Sequence, residues 1–283
     1  CNTTGAIFCE QCGSTNVHIV RKNYIKRLIG LPEEKLQVAN GDIYINGKIV
    51  RKPEKVQDAL WAPVFDSNYP AKQEIVENWE ADDEYWKISK EQLHLNIPDQ
   101  IKQKSYITFK REITDYSVYN SEIIDAISAD VMLAFDVTTT GKSGGISILL
   151  EEDEKTYEVF IRSRGVKEEA HLKISGSIVD SNADAFINPQ ETSRIEFSTA
   201  DNEIILKLND SVIFSHTYDT DLSSLEGYTK FSSLKLGGIN TDAIFKNITI
   251  SRDVFYTESG KWGTFNPVEI GEKQYFFLGD NSR

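Results

Sequence analysis

The chain has 283 residues, 40% of them hydrophobic and 11% aromatic, which supplies core for one large or two ordinary domains and excludes a mainly disordered protein. Acidic residues outnumber basic ones 44 to 31, a formal charge of −13. The average field therefore repels nucleic acid and anionic lipid, and acidity chiefly provides solubility. No apolar run reaches about 18 residues, so neither a membrane-spanning helix nor an export signal is expected within the sequence.

The first segment, "CNTTGAIFCEQCGSTNVHIV", holds all three cysteines. Cys9-x-x-Cys12-Gly is a knuckle of the kind that offers zinc two thiolates from one turn. A structural site needs four ligands, and Cys1 and His18 are the further candidates. A redox pair, a disulfide or plain buried thiols stand as the other readings of these cysteines.

The stretch "NYIKRLIGLP", residues 23–32, reads as a β-strand with Tyr24, Lys26 and Leu28 on one face and Ile25, Arg27 and Ile29 on the other. A lysine among apolar neighbours either runs its stem to solvent or is held where its amine sheds its proton near neutral pH. Next, "LQVANGDIYINGKIV" places Asn40-Gly41 and Asn46-Gly47 between short β-prone runs, the signature of two-residue hairpin turns in a meander of roughly three strands. From Pro53 to about Asp125 the pattern is mixed: a helical turn is predicted in "PEKVQDALWAPVFD", and Trp79, Tyr85 and Trp86 lie among acids.

From about Ala129 to Tyr256 short strands follow one another at even spacing, from "DVMLAFDVTT" to "IFKNITIS". Alternating faces separated by polar turns imply an antiparallel sandwich or barrel. "EIILKLNDSVIFSHTY" is its clearest hairpin, turning at Asn209-Asp210. "TTTGKSGG", residues 138–145, imitates a phosphate-binding loop, but Asp136 stands where the first glycine belongs and "ISILLEE" reads as a strand, so a hairpin turn is expected. The chain closes with the short meander "WGTFNPVEIGEKQYFFLGDNSR". Beginning at Cys1 and stopping at Arg283 just after an apolar run, it reads as a fragment of something longer.

"NYIKRLIGLP", the following "NGDIYINGK" and the distant "YFFLGDNSR" together resemble the lysine box, the next hairpin and the Gly-Asp-Asn box of bacterial type I signal peptidases, the serine-lysine endopeptidases. The resemblance covers residues 23–52 and 261–283. It implies that Lys26 is the general base taking a proton from a serine hydroxyl, that Arg27 pairs with Asp280, and that Gly279 and Asn281 support the site. A free lysine titrates at about 10.4, so such a base must be lowered by burial, with Tyr24 and Leu28 as candidate shields. Departures are clear: the lone methionine, Met132, is not in a Ser-Met-x-Pro nucleophile motif, and the sequence stops before the family's Ser-x-Asp-Ser-Arg stretch. Glu33-Glu34 replaces the usual Gly-Asp, a variation expected to be tolerated. The fragment alone is expected to be inactive.

The large insertion resembles the concanavalin-like jelly roll of lectins, laminin-G-type modules and some glucanases. No Glu-x-Asp-x-x-Glu arrangement is present, which favours binding or a structural role over glycoside hydrolysis. Trp61, Trp79 and Trp86 form either an aromatic sugar platform or buried packing.

The expected fold is all-β: a split signal-peptidase-like β domain with an inserted antiparallel jelly-roll sandwich. Its expected divisions are a zinc-ribbon-like stub at 1–22, the β domain at 23–56 and 257–283, a connecting region at 57–125 and the jelly roll at 126–256. What the resemblance implies is part of a signal peptidase I on the extracytoplasmic face of the bacterial cytoplasmic membrane, held there by a segment outside this sequence. Its partners would be signal peptides of exported preproteins. No cofactor is expected for catalysis and no nucleic-acid partner. The alternative is a noncatalytic extracytoplasmic module whose jelly roll binds a glycan or a protein, or a noncatalytic scaffold for a separate peptidase.

Overall fold

The computed structural model describes residues 26–69, 77–116, 125–140, 144–219, 222, 231–256, 258, 262–264 and 266–279. Two lobes of unequal size share one chain, and each begins from its hairpins. In the smaller lobe, β1 (Arg27–Gly30), β2 (Lys35–Ala39), β3 (Asp42–Ile45) and β4 (Lys48–Ile49) come early in the sequence. Asn40 (φ 50°) and Gly41 (φ 90°) turn β2 into β3, and Asn46 (φ 52°) and Gly47 (φ 80°) turn β3 into β4. Positive φ at both positions matches the strand twist, which is why Asn-Gly stands at each turn.

Helix α1 (Glu54–Leu60) leads out of this lobe, and β5 (Ala62–Asp66), β6 (Trp79–Ala81), β7 (Trp86–Ile88), β8 (Leu93–Asn96) and β9 (Ser105–Phe109) follow. After the small hairpin β10 (Thr114–Tyr116) and β11 (Asp125–Ile127) come β12 (Val131–Thr139), β13 (Gly145–Glu152), β14 (Lys155–Arg162), β15 (Ala170–Ile174) and β16 (Ser177–Asn182). β17 (Thr192–Ala200), β18 (Glu203–Leu208), β19 (Ser211–Thr217), β20 (Ser232–Ile239) and β21 (Asp242–Arg252) complete the sandwich.

Two antiparallel sheets result. One has the order β19-β18-β17-β12-β21-β8-β7, with β5 also on β21, and the other has the order β16-β15-β14-β13-β20-β9-β6. Alternation decides which side chains meet between them: along β17, Ser193, Ile195, Phe197 and Thr199 are buried while Arg194, Glu196 and Ser198 face outward. Phe135, Phe197, Phe214 and Phe245 from one sheet pack against Ile148, Val159, Leu172 and Leu236 from the other. Phe245 holds the centre, 5.5 Å from Phe135 and 5.8 Å from Trp86 between ring centroids.

This is the all-β, jelly-roll architecture the alternation pointed to, with two corrections. The region 57–125 is more than a connection, because β5, β7 and β8 join one sheet and β6 and β9 the other. These strands are short and carry tryptophans among acids, so period-two patterning had too few residues to show. Trp79 and Trp86 consequently lie in the core and make no exposed platform. The expected hairpin at 138–145 is corrected as well, because β12 and β13 do not pair and lie in different sheets.

The smaller lobe closes with β22 (Val268–Glu269) and β23 (Phe276–Leu278). β22 joins the order β22-β2-β3-β4, while β23 pairs with β1. Leu36, Val38, Ile43, Tyr256 and Ile270 form its core, so residues from both sides of the insertion bury one another. Val254 and Tyr256 already belong to this core, just ahead of the expected boundary at 257.

Truncating Phe245 to alanine removes the ring that β21 contributes between Phe135 and Trp86, and is expected to destabilise the protein by about 3–5 kcal/mol in urea unfolding.

Candidate functional site

β1 and β23 bring the two peptidase-like boxes together. Arg27 pairs with Leu278 and Leu28 with Phe277, so Lys26 comes opposite Gly279. A β-carbon added at Gly279 would stand 2.6 Å from Lys26 Nζ. Only glycine leaves the amine in this place, and any larger residue would push it aside.

Along β1, Ile29 turns toward the small core while Leu28 is 48% exposed and Lys26 is exposed. The expected shielding of Lys26 by Leu28 is therefore corrected. The two-stranded ribbon has one face without a second layer, and Leu28 lies on that open face beside Phe277, itself 54% exposed. Tyr24, Asp280, Asn281, Cys1, Cys9, Cys12 and His18 lie outside the described residues. The turn at Glu33-Glu34 is built into the lobe: the Glu33 N–H donates to Ile270 O at 2.8 Å, and Ile270 N–H donates to Glu34 O at 2.9 Å. Glu33 adopts φ 67°, a conformation that the family's glycine would adopt more freely.

A second constellation, absent from the sequence reading, lies where the chain crosses between lobes. Lys52 Nζ is 2.7 Å from Asp253 Oδ2 and also bonds Asp201, whose other oxygen accepts the Lys52 backbone N–H at 3.1 Å. Asp42 and Asp130 join them, and one carboxylate oxygen from each of Asp42, Asp130 and Asp201 falls within 4.8 Å of the others. Burial, then the Asp201 charge, pushes the Asp42 carboxyl well above the usual carboxylate range. Burial, then the charges of Asp42, Asp253 and Asp201, does the same to Asp130. Asp201 is also raised, by burial, although Lys52 opposes the shift. Burial by itself pushes the Lys52 amine down, yet Asp253 and Asp201 more than offset it and hold it above the ordinary lysine value. Lys52 is thus a locked cation and unsuited to take a proton. No motif announced these residues, since aspartates at strand ends and turns are ordinary turn signals.

A third feature is a groove of about 330 Å³ between α1 and the outer face of β12, β17 and β18. Gln57, Trp61, Met132, Glu196, Glu203 and Lys207 line it. Lys207 pairs with Glu54 and fastens α1 over the sheet. Both amide atoms of Gln57 are shielded and have no hydrogen-bond partner among the described residues.

Residues 11–107 match the family model of signal peptidase, peptidase S26. This relates that part of the chain to signal peptidases, and the match runs past the small lobe into strands β5 to β9 of the sandwich. No curated protein sequence matches the chain. Among solved structures, a protein of unknown function with a galectin-like fold from Bacillus subtilis is similar at 11% identity, over 70% of this chain and 99% of that one, with a TM-score of 0.50. The carbohydrate binding module CBM66 from Bacillus subtilis is similar at 14% identity over 62% of this chain and 95% of that one, with a TM-score of 0.42. At these identities the likeness concerns the fold alone.

Carboxyl groups whose pKa is raised by folding contribute stability that is present below the unfolded value and lost as pH rises through the folded value. For Asp42, Asp130 and Asp201, facing Asp253, Glu152 and Lys52, the protein in a chelating buffer is expected to melt at a higher temperature near pH ~5 than near pH ~8. Asp130→Asn should flatten that dependence, and an unchanged slope would remove the cluster as its source.

Proposed function

We propose that the smaller lobe is the β domain of a type I signal peptidase and that Lys26 is its general base. What supports this reading is the pairing of β1 with β23, which lays the Lys26 amine against Gly279 and so joins the lysine box to the Gly-Asp-Asn box across the insertion. The reaction would run as acyl transfer. Lys26 Nζ accepts the serine Oγ proton as the oxygen attacks the scissile carbonyl, and returns it to the leaving amine. The serine would come from a Ser-Met-x-Pro segment, a motif this sequence does not contain. Arg27 and Asp280 would tie the two boxes together, and Asn281 would support them.

The open face carrying Leu28 and Phe277 suits an extended apolar peptide or the membrane surface from which such a peptide emerges. In this reading the protein would work on the extracytoplasmic side of the bacterial cytoplasmic membrane, on signal peptides of exported preproteins. Cys9, Cys12 and Cys1 would hold a structural zinc in the preceding segment and take no part in cleavage.

The test is cleavage of a fluorogenic preprotein peptide by the protein expressed with its neighbouring coding sequence. Lys26→Ala is expected to lower kcat/KM by about 10³-fold or more with unfolding unchanged. Gly279→Ala, which displaces the amine without removing it, should lower kcat while leaving KM near its original value. Full activity in Lys26→Ala would overturn the assignment.

The groove favours a second reading, in which the sandwich binds a glycan. Trp61 offers an apolar face, Glu196, Glu203 and Lys207 offer charged hydrogen-bonding groups, and the Gln57 amide lacks partners that sugar hydroxyls supply. Because β5 to β9 complete both sheets, the whole chain is the right object for titration against a glycan panel. Binding that weakens at least ~10-fold in Trp61→Ala is expected, and silence across the panel counts against it.

A further inference from the structure

The floor of the groove under α1 follows from the register of β17 on β18, which sets Glu196 opposite Lys207, Ser198 opposite Ile205 and Ala200 opposite Glu203. Every second side chain of a strand faces the same way, about 7 Å apart. The floor therefore runs from Glu196 at one end, over Ser198 and Ile205, to Glu203 at the other. Met132, opposite Ser198 on β12, widens its middle.

Three cations line the groove, and each is already engaged. Lys207 pairs with Glu54, and Lys52 is held between Asp201 and Asp253. The Arg51 guanidinium reaches the carbonyl oxygens of Asn202 and Tyr218, both at 3.5 Å. The carboxylates are not matched in the same way. Glu203 accepts the Ser215 hydroxyl at 2.9 Å, and neither Glu203 nor Asp58 forms an ion pair among the described residues. The chain's own charge of −13 adds to this negative field.

Two further properties of the groove are independent of the carboxylates. The Gln57 amide presents a shielded donor and a shielded acceptor, neither with a partner among the described residues, and a hydroxyl satisfies both kinds because it donates and accepts. Trp61, Met132 and Ile205 supply an apolar side, and a volume of about 330 Å³ is that of a small-ligand site.

We propose that the groove selects a glycan bearing a free amine, with an ammonium group on Glu203 and a hydroxyl on the Gln57 amide. This rests on the reading of the groove as a glycan site and adds the charge of the ligand to it. A carboxylated or sulfated sugar meets no uncommitted cation here, since Arg51, Lys52 and Lys207 are all engaged. An N-acetylated sugar brings no charge to offset Glu203 and Asp58. The free amine gains a charge-assisted hydrogen bond that its acetylated form cannot make. The site stands apart from Lys26 and does not depend on the peptidase reading.

The experiment is calorimetric titration of the whole chain at about pH 6, where amines are protonated and exposed carboxylates ionised. The probes are a glucosamine tetramer, its fully N-acetylated counterpart and tetralysine. The free-amine tetramer is expected to bind at least ~10-fold more tightly than the acetylated one, by a margin that shrinks as salt is raised. Glu203→Gln should remove most of that margin with the melting midpoint unchanged. Equal binding of the two tetramers by the wild type, or tighter binding of the acetylated one, overturns the selectivity without any variant and leaves the glycan reading standing. Silence of both tetramers overturns the selectivity, and silence of the whole glycan panel as well overturns the glycan reading with it. An undiminished margin in folded Glu203→Gln overturns the placing of the ammonium. Tetralysine binding as tightly as the free-amine tetramer overturns the assignment to a sugar.

Discussion

The contact on which the two-lobed arrangement depends is Lys52 held between Asp201 and Asp253. Lys52 lies on the segment that leaves the small lobe, and Asp253 lies on the segment that returns to it. One ammonium group therefore closes the neck of the insertion. Because the exit and return points sit side by side, an insertion of this length adds little closure entropy to the small lobe, whose core forms as though the chain were continuous. The same pair explains why the junction tolerates carboxylates in low dielectric at all. A buried ion pair is a weak source of stability, but losing its cation would leave several charges unpaired, which costs far more than the pair contributes.

The two lysines illustrate how environment assigns chemistry. Lys52 is enclosed, yet carboxylates surround it and keep it charged. Lys26 sits on an open ribbon, against a glycine, with apolar side chains beside it and no carboxylate engaged by its amine among the described residues. For a lysine to act as a base, burial must come without compensating negative charge. The ribbon face offers the second condition, and a peptide lying across Leu28 and Phe277 would supply the first.

The sandwich adds a different kind of surface. Its two sheets spend their aromatic residues on the core, where Phe245, Phe135 and Trp86 meet, so little aromatic surface remains outside. Trp61, partly buried, belongs to the linking segment laid over the outer face of β17 and β18 rather than to a strand. The insertion thus forms its groove from the joint between lobes, and any ligand there would touch both the linker and the sheet.

Much of this was legible in residues alone. The Asn-Gly turns, the alternation of β17 and the Asn209-Asp210 hairpin follow from local rules of φ and side-chain period, and the structure has them where those rules place them. Lys26, Gly279 and their neighbours were singled out by motif, but their proximity depends on a register that brings together residues from opposite ends of the chain. Other features had no local signature. Strands β5 to β9 are too short for their period to show, and Asp42, Asp130, Asp201, Asp253 and Lys52 read one at a time as ordinary turn or surface residues. Sequence determined which segments become strands because that choice is made by neighbours along the chain. Tertiary structure decided which charges meet at the neck, because electrostatics in a low-dielectric junction depends on distance in space and on burial, neither of which spacing in sequence records.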